Sequence, residues 1–107
     1  MDVNNLQRLV DLITKLVSEA NERLGKQPDW SKDRAGYHDY EQRRRAEMES
    51  IKAHLTEREG ARFSYRPGYE AAVKLAGIRS SCTGGEWGLL SNWKSAARMR
   101  IQREAGR

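Results

Sequence analysis

Apolar residues in the first 24 positions recur at helical spacing. Leu6, Val10, Ile13, Val17, Ala20 and Leu24 step alternately by four and three, and Leu9, Leu12 and Leu16 widen the stripe. Gly25 follows the last apolar residue and Pro28 comes three later, so the pattern predicts a helix over about 3–24. A stripe this wide is more than one short neighbour needs. It suits packing within the chain or a seam with a second copy, a homodimer through helix 3–24 that Ile13→Asp would convert to a less stable monomer.

Between Gly25 and Pro67 the apolar pattern thins, and 18 of 43 residues are charged. Tyr37, Tyr40, Met48, Ile51 and Leu55 still recur at helical spacing, with Arg44 inside the same stripe. They predict a second helix over about 33–59, ended by Gly60. Its narrow apolar face fits antiparallel against the first helix as a helical hairpin.

Pro67-Gly68 then breaks regular structure and biases Arg66 toward extended geometry, so the stretch from Arg62 reads as a connector. A short helix over about 69–76 follows, with Ala72, Val73 and Ala76 inward and Gly77 as its stop. After the loop Ile78–Cys82, Thr83-Gly84-Gly85-Glu86 matches a capping box that opens a last helix over about 84–104. Trp87, Leu90, Trp93, Ala97 and Ile101 form its expected buried face. No segment alternates with period two over more than a few residues. The expectation is therefore an all-α fold of four helices in one domain, 1–107: a hairpin over 1–60 and a basic helix-loop-helix corner over 68–107.

Composition sharpens this division. Leu, Ile, Val and Phe number 18, with nine in the first 24 residues, three between Gly25 and Pro67, and six from Gly68 on. That is too few for a large enzyme with a deep, dry cleft, and the charges within Val3–Leu24 exclude a bilayer span. The start Met1-Asp2-Val3-Asn4-Asn5 has neither a basic region nor an unbroken apolar run, so no signal peptide is expected. The single cysteine, Cys82, has no partner for an internal disulfide and fits a reducing, cytoplasmic setting. Net charge is +5, and it rises along the chain: −1 over residues 1–24, +2 over 25–67 and +4 over 68–107. A basic end suits an anionic partner, nucleic acid first.

Several segments offer chemistry for that partner. Ala72–Ser81 resembles the first half of a helix-turn-helix, with Gly77 at the turn and Ser80 and Ser81 opening the next element, although Gly84 and Gly85 fall where a recognition helix should continue. The loop Arg79–Gly85 combines an arginine, hydroxyls and a Gly-rich helix start, the makings of an anion site, without the GxxxxGK[ST] of a Walker loop. On the last helix, Lys94 and Arg98 stand four apart beside Trp87 and Ser91 on the helical wheel, suited to phosphates and to base stacking. Arg43-Arg44-Arg45 is interleaved with Glu41, Glu47 and Glu49, which favours intrahelical ion pairs on a solvated face.

Catalytic patterns are missing from the sequence. His38 and His54 are sixteen apart, Cys82 has no Cys or His at metal-ligand spacing, and neither GxSxG nor HExxH occurs. The cysteine-phosphatase loop would need arginine where Gly88 stands. The reading is a small, non-enzymatic accessory or regulatory protein, without cofactor or metal, that binds nucleic acid, DNA before RNA. Its expected contacts are Arg79, Ser80, Ser81, Trp87, Lys94 and Arg98. The alternative is an adaptor or inhibitor that occupies another protein, for which the Tyr- and Arg-rich middle is suited.

Overall fold

The computed structural model describes residues 2–65 and 70–106. Helix α1 spans Val3–Leu24 and helix α2 spans Arg34–Glu59. Asp2 caps the first by accepting from the Asn5 amide, and Asp33 caps the second by accepting from that of Gly36. Gly25 and Gly60 end them, Gly60 in the left-handed region that glycine adopts without steric penalty. The two helices form the expected antiparallel hairpin, clasped near the two ends of α1 by Arg8–Glu59 and Arg23–Glu47, each 2.7 Å, the second reaching the middle of α2. The arginines are half exposed, so these clasps set register more than stability. Each fully buried leucine of α1, by contrast, stabilises by roughly 1.5–3 kcal/mol.

The second half corrects the all-α expectation. Three strands, β1 (Arg62–Tyr65), β2 (Ala71–Leu75) and β3 (Ile78–Cys82), form an antiparallel meander in the order β1-β2-β3. No helix covers 70–76, in contrast to the one expected over 69–76; Tyr69, with the Arg66-Pro67-Gly68 break, lies outside the described residues. Ala72–Ser81 is accordingly no helix-turn-helix half but a β-hairpin, closed by Leu75 paired with Ile78. Its two turn residues, Ala76 and Gly77, both have positive φ, 52° and 79°. That is the turn whose twist matches a hairpin, normally built with Asn-Gly. Burial explains the missing period-two signal, since Ala71, Ala72, Val73 and Leu75 are all buried and only Lys74 is exposed.

The last helix, α3, spans Glu86–Ala105 and forms the middle layer of the molecule. It packs on β3 and β2 with one side and on α1 with the other, while α2 flanks α1 and β1. The wide stripe of α1 thus serves two neighbours, α2 and α3, and Ile13 is wholly buried within the chain. Leu89, Leu90, Trp93 and Ala97 are buried on α3, with Trp87 and Ile101 at the margin of the core. Trp93 pins helix to sheet: its indole N–H donates to the carbonyls of both Leu75 and Ile78, 3.2 Å each, across the base of the turn. Gly88 lets α3 approach β3, because a Cβ there would sit 3.0 Å from Cys82 Sγ.

The capping box does not form. Gly85 is the N-cap without a side-chain bond, Thr83 lies outside the helix, and Glu86 instead pairs with Lys52 of α2 at 2.6 Å. Among the described residues, no helix is long and apolar enough to cross a membrane.

Candidate nucleic-acid interface

Strand alternation divides the sheet into two faces. Phe63, Ala71, Val73, Leu75, Ile78 and Cys82 belong to the face that α3 covers, where they are buried or packed against the core. Among the described residues no helix packs over the opposite face, although α2 borders it at Arg62, which lines a groove with Glu49 and Glu57. Its residues are Arg62 and Ser64 from β1, Ala72 and Lys74 from β2, and Arg79 and Ser81 from β3.

Register aligns these residues into two rows. Arg62 pairs with Lys74, and Lys74 with Arg79, so three exposed cations stand side by side across all three strands. Ser64, Ala72 and Ser81 form the neighbouring row. Two strand spacings make the cationic row about 10 Å wide. Directly opposed like charges destabilise a sheet, by a few tenths to about 1 kcal/mol per pair. Arg62 and Lys74 have no acidic partner among the described residues. Arg79 reaches along the face toward Glu70, 3.9 Å away, with the arginine well exposed and the glutamate about one-third exposed. Such a pair is weak and readily exchanged for another anion. At the edge of β3 a cavity of about 320 Å³ places Arg79 beside Arg100 and Arg103 of α3, extending the basic surface over the edge.

The six residues expected from the sequence do not converge on one face. Arg79 and Ser81 are on the open face, whereas Ser80 pairs with Val73 on the side toward α3. Lys94 is turned to α1, where its ammonium donates to Thr14 Oγ1 at 3.3 Å. Burial, and then the charge of Arg98, hold Lys94 below the ordinary lysine pKa. Arg98 is exposed on α3, one turn after Lys94. Trp87 lies under the guanidinium of Arg44, 4.9 Å from its ring centre, at the contact of α2 with the start of α3.

The loop before α3 is also differently used. The Gly84 amide donates to Cys82 Sγ at 3.2 Å, and the carboxylate of Glu86 already stands in the first turn of the helix. Burial alone would lower the pKa of Lys52, but its pairs with Glu86 and Glu49 outweigh it and leave the ammonium above its ordinary value. Of the arginine triplet, Arg43 pairs with Asp39 at 3.0 Å and Arg44 stacks on Trp87, while Arg45 is exposed.

Sequence reasoning missed Arg62 and Lys74. One stands in a presumed connector and the other in a presumed helix, and only strand register brings them beside Arg79. The available signal was the polar–aromatic alternation of Arg62-Phe63-Ser64-Tyr65 followed by an Ala-Gly turn. No family model, curated protein or solved structure matches the chain, which leaves its function to be argued from its own geometry.

Proposed function

We propose that this protein is a non-enzymatic nucleic-acid-binding protein and that the open face of its sheet is the interface. The observation that carries the reading is the cross-strand row Arg62–Lys74–Arg79. Three like charges held side by side, two without an acidic partner among the described residues, are unfavourable in the isolated protein and favourable against a run of phosphates. The serine hydroxyls of the next row add neutral donors for phosphate oxygens. Ser80, Trp87, Lys94 and Arg98 are left out of this interface.

Fluorescence anisotropy with a labelled duplex oligonucleotide at low salt tests the assignment. Lys74→Glu is expected to weaken binding at least about tenfold, because it places an anion at the centre of the row, while Arg98→Glu changes affinity less than about threefold. Equal losses for the two variants would overturn the assignment. So would the absence of binding by the wild-type protein.

One observation favours the adaptor reading instead. Trp30, half exposed in the connection between α1 and α2, carries the Arg34 guanidinium 4.6 Å from its ring centre. Exposed Trp–Arg pairs are common anchors of protein interfaces. Under that reading, Trp30→Ala abolishes capture of a stoichiometric protein partner at high salt and Lys74→Glu does not.

A further inference from the structure

The form of the nucleic acid is narrowed by what the described residues of the open face lack. Resting on the nucleic-acid reading, we infer that the partner is a duplex gripped by its backbones, read for shape and charge, and not an unstacked single strand.

Proteins that bind single strands lay the bases on aromatic side chains. None of the six outward residues, Arg62, Ser64, Ala72, Lys74, Arg79 and Ser81, is aromatic. Trp30 is half exposed but lies in the connection between α1 and α2, and Tyr69 lies outside the described residues. Phe63 faces α2, where Lys52 stands 5.6 Å from its ring centre, Trp93 is buried, and Trp87 lies beneath Arg44. Tyr65 is exposed but falls on the opposite alternation, paired with Ala71 at the end of β1. A strand with splayed bases would meet only charge and hydroxyls here.

The dimensions of the face fit a duplex. A cationic row about 10 Å wide, with long side chains at both ends, spans a groove about 12 Å across and reaches a phosphate on either side. A duplex also presents one charge per about 1.7 Å of axis, twice the density of a single strand. Ser64 and Ser81 are small, so the backbone ridge approaches the two outer strands closely beside the cations, while Ala72 between them is itself buried. Two hydroxyls and three cations favour phosphate contacts over base edges, so affinity depends little on sequence.

The test is competition at one low salt concentration among 20-mers: duplex DNA of two unrelated sequences, duplex RNA, and single-stranded oligo-dT. A duplex is expected to bind at least about tenfold tighter than oligo-dT, with the two DNA sequences within about threefold of one another. For duplex DNA, three neutralised phosphates give a log–log salt slope near −2.7, and Arg62→Ala brings it to about −1.8. Whichever of the two duplexes binds tighter identifies the backbone geometry preferred. Oligo-dT binding as tightly as the duplexes would overturn this inference while leaving the nucleic-acid reading intact. No binding of any oligonucleotide would overturn that reading, and this inference with it.

Discussion

Replacing Trp93 by phenylalanine removes the indole N–H that fastens the β2–β3 turn to α3. The indole is fully buried and donates to Leu75 and Ile78 on either side of Ala76-Gly77. Phenylalanine keeps most of the ring and loses two buried carbons, at roughly 0.8 kcal/mol each. It also loses the shared hydrogen bond, worth about 1–1.5 kcal/mol in a site water does not reach. The expected loss is about 3 kcal/mol, a large part of the 5–15 kcal/mol that holds a typical domain together. Urea unfolding followed by circular dichroism reads it as a lower midpoint at unchanged slope. Trp87→Phe is the control: that ring lies at the margin of the core under an arginine and its indole N–H has, among the described residues, no buried carbonyl partner like those of Trp93, so its loss is expected to be smaller, about 1–2 kcal/mol. A Trp93→Phe protein within about 0.5 kcal/mol of wild type, or no weaker than Trp87→Phe, would refute the reasoning.

Three further outcomes are expected. Glu70→Gln releases Arg79 from its weak pair and removes an anion from the open face, so duplex affinity should rise two- to fivefold at low salt, as anisotropy would show; a fall would contradict the assignment. Ala76 has a φ of 52°, in the region asparagine tolerates better than alanine, so Ala76→Asn should add about 0.5–1 kcal/mol in urea unfolding, and a loss would argue against the turn described. Hydrogen bonds from Arg23 and Arg8 hold the carboxyls of Glu47 and Glu59 below their ordinary pKa. The unfolded chain therefore takes up these protons more readily, and the stability they contribute is complete above the ordinary glutamate range and lost as pH falls through it to the lower folded values. Urea midpoints between pH 6 and pH 2 should decline more steeply for the wild type than for the Glu47→Gln, Glu59→Gln double variant, and parallel declines would speak against the clasps.

How much of this was legible in the sequence follows from where burial is one-sided. α1 and α2 each bury a single stripe, so their periodicity survives, and Gly25 and Gly60 mark their ends within a residue. The hairpin follows from the same pattern, and Trp93 as core from the spacing of α3. The sheet was hidden for three physical reasons. β2 buries residues on both faces, which erases alternation; its Ala-rich stretch has high helix propensity; and its turn is Ala-Gly, which reads as a helix stop. Charge gathering toward the C-terminal end pointed to Arg79 and Ser81, yet the same argument recruited Lys94, which packs against α1. Net charge says that an anion is suited but not which face meets it. Register is what brings together the proposed face, because Arg62, Lys74 and Arg79 become neighbours only once the strands are paired.

The central claim is that the Arg62–Lys74–Arg79 row exists for an anionic partner at some expense to the sheet. Lys74→Ala tests both halves in one protein, by measuring its urea stability and its duplex DNA affinity across a salt series. Relief of repulsion should leave stability equal or higher by a few tenths of a kcal/mol, while affinity falls and the salt slope becomes shallower by about 0.9. A variant that binds duplex with unchanged affinity and slope, or that is destabilised by more than about 1 kcal/mol, would contradict the account.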